Sequence, residues 1–530
     1  MSEMKRRDFM KASGALALAS IIPGSLRAAI SSESNILPEL EIELRAVKGR
    51  IALLKGRQTE VLRYQGRVIT GDTKSLIAMP NSYLGPTLRF RRGQRVRIHF
   101  INELDVPSII HWHGLHVPAD MDGHPRYAVQ PGERYHYDFE VRNRAGTYWY
   151  HPHPAGLTAA QIYQGLAGVL LIEDEDEQAL LLPRGEYDLP LVIQDRRIDS
   201  NNQFQYIGSG MASMMDRMRG FLGDRVLVNG HLNYITKVAA RPYRLRLINA
   251  SNARIYKLAL KNGQPLTVIG TDGGLLAKPA SVPYVTLAPA QRTEVWLDFS
   301  HYLVGENIEL YSEPFGGEME MMGGGMKCGG KMGSGKSNGG MMAGPSNGDA
   351  LPVMRFQVAE KQAMTSSSTA INLPETLSRI RKPEITNAVN ANSPRRFALT
   401  MQRMRWGING REFSMMAVAN DEKVRQDTTE VWEFDNTVSG GMMGAMAHPM
   451  HIHDVQFQVL SRHHDDKYAN GNKELAAGFL DQGWRDTVLV MPGERVRILV
   501  KFEDYTGLYL YHCHNLEHAA MGMMRNYRIS

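Results

Sequence analysis

Four short motifs concentrate the residues able to bind metals or carry electrons. They are His111-Trp112-His113, His151-Pro152-His153, His448-Pro449-Met450-His451-Ile452-His453, and His512-Cys513-His514 followed by His518 and Met523. Together they hold ten of the eighteen histidines. Imidazole suits copper, and thiolate and thioether sulfur favour Cu(I). The spacing is the stronger signal. In an extended segment, residues i and i+2 share a face and i+1 takes the other. Each His-x-His pair then aims two imidazoles one way, and the four pairs supply eight, enough for three copper ions. Cys513 must face away from His512 and His514, and His448 differs in parity from His451 and His453. The ligands divide into two groups on opposite sides of the same strands, with Cys513, His448, His518 and Met523 in the second. A His2Cys set with a weak axial Met is the ligand set of blue-copper electron transfer. An electron arriving at Cys513 would reach the eight-imidazole group through main-chain bonds, and four such transfers match the reduction of O2 to water. A tetrahedral structural zinc site does not fit eight imidazoles around one thiolate.

The elements that must position these groups read as strands. Val96–Phe100, Tyr135–Phe139, Val295–Phe299 and Val496–Val500 alternate with period two, between turns rich in Gly, Pro, Asn and Asp. An internal repeat organises them. Pro131-Gly132-Glu133-Arg134 stands 20 residues before His151, and Pro492-Gly493-Glu494-Arg495 stands 20 residues before His512. A middle copy begins at Ala288-Pro289-Ala290-Gln291-Arg292, and 20 residues after Pro289 comes Glu309-Leu310-Tyr311, with no histidines in that motif. The reading is three β-domains at 36–175, 185–360 and 390–530, with the ligands in the first and third. Residues 363–393 read as linker, and 316–348 as a low-complexity Gly/Met/Ser/Lys loop inside the second domain.

The motifs resemble those of the multicopper oxidase family, over nearly the whole chain after residue 29, and most nearly its bacterial periplasmic cuprous oxidases of copper tolerance. The resemblance implies an all-β fold of three cupredoxin-like Greek-key barrel or sandwich domains and four copper ions. By it, His448, Cys513, His518 and Met523 match the type 1 ligands. His111 and His451 match type 2, and His113, His151, His153, His453, His512 and His514 match type 3. Asp122 matches a carboxylate near the cluster that helps deliver protons, and Met401 and Met446 match methionines that hold substrate Cu(I). Met442 and Met443, just before His448, are further candidates, as is Met404. Three features depart from the pattern. Ala519-Ala520 stands where many relatives carry a proton-moving Glu after the last type 1 histidine, and no such role passes to Glu517. Gly444 replaces an expected Asp, and the third domain has no Met-rich helix.

Composition supplies the address. Lys5-Arg6-Arg7-Asp8-Phe9-Met10-Lys11 and the apolar run Ala12–Ile22 read as a twin-arginine export signal ending near residue 29, implying a twin-arginine translocase and a periplasmic protein. About half of the net charge of +6 lies in that segment, and no Lys/Arg run marks a nucleic-acid partner. No later stretch approaches the ~20 apolar residues of a membrane span. Of the two cysteines, Cys513 is reserved for metal and is not expected to pair with Cys328. Seven of the 30 methionines fall between Met319 and Met342, where core packing does not explain them. Met211, Met214, Met215 and Met218 have the spacing of a helix face. The expected activity is oxidation of Cu(I) with O2 as acceptor. The alternatives are a laccase-type oxidase of phenols or aromatic amines, and a non-catalytic periplasmic copper-binding protein.

Overall fold

The computed structural model describes residues 37–208, 210–316, 344–360, 372–379, 382–437, 446–465 and 469–530. The expected signal, Cys328, Met442, Met443 and nearly all of the Gly/Met loop lie outside them. The described chain is all-β, in three cupredoxin-type domains, each built on a pair of sheets. In the first, the strands Thr59–Thr70, Leu40–Ile51, Arg95–Asn102 and Arg134–Glu140 form one sheet. The alternation seen in the sequence does the folding work. Val96, Ile98 and Phe100 enter the core with Leu40, Ile42 and Leu44, while Arg95 and Arg97 on the other face both grip Asp138.

The second sheet of that domain carries the first two His-x-His pairs. Ile110–His113 pairs antiparallel with Gly146–Pro152, setting His111 opposite His151. The third domain repeats the arrangement. His448–Ile452 pairs antiparallel with Gly507–Cys513, setting His451 opposite His512. The repeat in the sequence is therefore a repeat of hydrogen-bonded register. The middle domain places Arg292–Asp298 and Asn307–Ser312 in its own two sheets. Each domain buries a separate aliphatic and aromatic core.

Residues 372–379 are more than spacer. Leu377 is buried, and Leu373 packs beside it, against Leu182, Ile269, Leu275 and Trp296, so the connection covers apolar surface of the middle domain. The four-methionine helix forms, as Met211–Arg219. No helix among the described residues is long and apolar enough to cross a membrane.

Candidate metal centres

The eight histidines of the His-x-His pairs meet between the first and third domains, all buried. All eight rings join in one contacting cluster, the shortest separations being His111 to His453 at 3.7 Å and His113 to His451 at 3.8 Å, both stacked. His113, His151 and His514 lie 5.1–5.5 Å apart by ring centroids. His153, His453 and His512 lie 5.1–5.3 Å apart. His111 and His451 lie 5.6 Å apart.

For most of the rings, hydrogen bonds outside the cluster set which nitrogen turns inward. A backbone carbonyl can only accept, so a ring nitrogen bonded to one carries the proton. His111 Nδ1 donates to the Asp122 carbonyl at 2.7 Å, and His451 Nδ1 to the Asp486 carbonyl at 2.8 Å. Their Nε2 lone pairs then face each other at 3.3 Å. His512 Nδ1 donates to the Cys513 carbonyl and His151 Nδ1 to the Pro152 carbonyl, each at 3.0 Å. His453 Nδ1 donates to Asp122 Oδ2 at 2.7 Å, leaving its Nε2 3.2 Å from His512 Nε2. Opposed lone pairs at such distances are repulsive without a cation among them. Burial, with the neighbouring imidazoles, holds His113, His151, His153, His451, His453 and His514 far below the ordinary histidine range, and His512 at about 4. Neutral imidazole is the metal-binding form. Both nitrogens of His514 are buried with no hydrogen-bond partner among the described residues. This donor set fits copper.

On the other face of the same strands, Cys513 Sγ lies 3.6 Å from His448 Nδ1 and 3.8 Å from His518 Nδ1. The two nitrogens are 3.2 Å apart. His518 Nε2 donates to the Met218 carbonyl at 3.0 Å, which leaves Nδ1 as the free lone pair. Met523 is buried in the same cluster as Cys513, donates its N–H to the His518 carbonyl and accepts from the Cys513 N–H, each at 3.0 Å. The Asn515 N–H reaches Cys513 Sγ at 3.4 Å. Burial lowers His448 to about 3 and pushes the Cys513 thiol up, so both groups are held neutral, and a metal bound there would have to displace the thiol proton. The indole of Trp406 packs on both His448 and His518, and its N–H shares the Met218 carbonyl.

Asp122 is buried against this assembly, and burial raises its carboxyl against the opposing pull of His111. Glu517 does not reach either group of donors. Its carboxylate accepts from the Tyr206 hydroxyl, the Asn252 amide and the Phe221 N–H, tying the middle domain to the helix Leu516–Ala520. Met446 is buried and Met401 half-buried in the core that contains Cys513, and Met401 stands opposite Trp406 across its hairpin. Met404 is 46% exposed at the hairpin turn.

Sequence reading missed three contributors: Asp486, Arg292 and the Met218 carbonyl. Asp486 Oδ1 lies 3.1 Å from His113 Nε2. An isolated Asp beside an Arg in Trp484-Arg485-Asp486-Thr487 carries no metal-ligand spacing, and a main-chain carbonyl leaves no mark on sequence at all.

Comparison with known proteins agrees with this architecture. Multicopper oxidase family models match residues 62–177, 198–306 and 388–530. The chain is 31% identical to "Multicopper oxidase mco" of Staphylococcus haemolyticus over 487 residues, 92% of this chain and 88% of that one. It is 30% identical to a laccase of Bacillus subtilis, covering 83% and 87% of the two chains. It is also 30% identical to cell division protein FtsP of Xenorhabdus nematophila, covering 94% and 92%. Among solved structures, the McoA multicopper oxidase of Aquifex aeolicus superposes with a TM-score of 0.72 at 33% identity, covering 93% and 97%.

Proposed function

This chain belongs to the multicopper oxidase family, and on that premise we propose that it oxidises Cu(I) to Cu(II) in the periplasm, protecting the cell from copper, with O2 as the final acceptor. The ligand assignment is part of the proposal. His448, Cys513 and His518, with Met523 as axial ligand, hold type 1 copper. His111 and His451 hold type 2, and His113, His151, His514 and His153, His453, His512 hold the type 3 pair. Copper bound there supplies one-electron oxidation of the reductant and four-electron reduction of O2. The protein supplies the wiring, because Cys513 sits on one group of donors and its chain neighbours on the other. It also supplies dryness, since all of these side chains are buried. Asp122, hydrogen-bonded to His453, is the residue able to hold a proton at the cluster.

The observation that carries the Cu(I) reading is the set of surface thioethers, Met214, Met404, Met415 and Met416, on segments that adjoin the core containing Cys513. Met401, Met446, Met521 and Met523 pack in one cluster with it. Met218 belongs to a helix whose Met214 is 39% exposed, and Met415 and Met416 are exposed on the loop hydrogen-bonded to strand Met524–Ile529. Core packing accounts for the buried ones. It does not account for those at the surface, where thioethers are soft ligands for Cu(I). The runs at Met319–Met342 and Met442–Met443 add to the supply. The twin-arginine segment supports export. Relatives called laccases support a second reading, in which phenols or aromatic amines are the main reductants.

The deciding experiment loads the purified protein with copper and follows O2 uptake with Cu(I) and with a phenol. Met401→Leu/Met446→Leu, and separately a deletion of residues 316–348, are expected to raise the KM for Cu(I) and leave phenol oxidation near wild type. Cu(I) kinetics unchanged in both would remove the copper reading and leave the laccase one.

A further inference from the structure

The middle domain contributes no imidazole to either metal group, yet one of its side chains stands behind the eight-histidine cluster. Arg292 is fully buried, and all five of its guanidinium N–H groups have acceptors. Nε donates to the Thr147 carbonyl of the first domain at 3.0 Å. One terminal nitrogen donates to the Ala290 carbonyl and to Asp486 Oδ1, at 3.1 and 2.7 Å. The other donates to the Asp272 carbonyl and to Asp486 Oδ2, at 2.9 and 2.6 Å. The carboxylate of Asp486 is thereby gripped as a fork, the geometry that an ammonium cannot reproduce.

Asp486 touches both halves of the cluster. Its Oδ1 accepts from His113 Nε2 of the first domain, and its carbonyl accepts from His451 Nδ1 of the third. Those two rings stack at 3.8 Å, 14° from parallel. The backbone makes room for the pair. A Cβ on Gly114, the residue after His113, would lie 2.5 Å from Asp486 Oδ2 and 2.9 Å from an Arg292 terminal nitrogen. Ala290, whose carbonyl takes one Arg292 proton, holds φ at +71°, a costly conformation for a residue with a Cβ.

We propose that Arg292 is a positioning residue of the oxygen-reducing centre. Through Asp486 it sets the orientation of His113 and His451, and the ligand-free domain is in this way part of the cluster's outer support. The proposal rests on the ligand assignment above. The Asp486 side chain meets His113, a type 3 ligand by that assignment, while its bond to His451 is a main-chain one that a substitution leaves in place, so the type 3 site of His113 weakens first. Partners that orient metal-bound histidines contribute roughly 10- to 100-fold in metal affinity.

The test uses copper-loaded Arg292→Lys and Asp486→Asn beside wild type, with metal analysis, EPR and visible spectra on each. The expected result is an unchanged type 1 signal with loss of the type 3 absorption, and type 3 copper retained roughly 10- to 100-fold less tightly. O2 consumption falls with it, while anaerobic reduction of the type 1 centre keeps its wild-type rate. Arg292→Met should go further in the same direction. Retention of all the copper at wild-type affinity in Arg292→Lys and Asp486→Asn would overturn the proposal. So would parallel loss of type 1 and type 3 signals, which is what a general folding defect produces. Wild type lacking both signals would instead strike the ligand assignment from which the proposal starts.

Discussion

Cys513 shows how one side chain can serve two centres. Its sulfur is buried at 3.6 and 3.8 Å from two imidazole nitrogens, while its carbonyl accepts from His512 on the other face. A serine hydroxyl has similar shape and does not ionise as a thiol does. Cys513→Ser is expected to abolish the intense visible band and O2 consumption with every reductant, as spectra and an oxygen electrode would show. Asp122 is a different case. Its backbone carbonyl orients His111, and a substitution leaves that in place, whereas its carboxylate orients His453. An amide at this position still accepts from His453 but cannot supply a proton. Asp122→Asn should retain the type 1 band and slow O2 turnover by about 10²–10⁴, the usual contribution of a positioned acid. Stopped-flow reoxidation with O2 separates that step from substrate oxidation.

At the scale of elements, the paired strands aim the ligands and tight turns allow them to dock. Gly123 follows Asp122 with φ at +83°, and a Cβ there would lie 2.1 Å from the Ile110 carbonyl oxygen. The turn presses directly on the strand that carries His111. Gly123→Ala has both strain and collision to absorb. It should lower stability by at least about 1–3 kcal/mol, measured by denaturant unfolding, with copper loading of the cluster lost before that of type 1. Strand parity and the repeat were legible from sequence because they are local: a period of two is a property of the extended backbone. The Met211–Arg219 helix was legible for the same reason. What its Met218 carbonyl does was not, since that carbonyl meets His518 and Trp406 from another domain.

The whole molecule depends on buried charge between its domains. Glu294 accepts from Arg244 at 2.9 and 2.6 Å, from Arg246 at 3.0 Å and from Thr147 of the first domain at 2.6 Å. Burial alone would raise its carboxyl, but Arg244 and Arg246 outweigh it and hold the group down from 4.5 to about 2. A carboxyl depressed in the folded state contributes stability above its unfolded pKa and loses it as pH falls through the folded one. Wild type should therefore lose stability between pH 4.5 and about 2 through this group. Glu294→Gln should flatten that acid limb and cost about 3–5 kcal/mol at neutral pH, because two buried guanidinium groups lose their shared anion. Thermal unfolding against pH, for both proteins, measures each effect. Arg244 and Arg246 are both buried, and Thr147 of the first domain accepts from Arg246 at 2.9 Å.

The sequence by itself determined the His-x-His and Cys motifs, the division of their side chains between two faces and the duplication of the strand pair that bears them. Each of these follows from spacing along an extended chain, which obeys the same geometry wherever the strand lies. Only the tertiary structure decided that His111 meets His451 across 340 residues, and that an arginine from the domain without His-x-His pairs braces both halves. Contacts of that kind are set by how three separately folded cores pack together, and residue spacing within any one of them does not encode that packing.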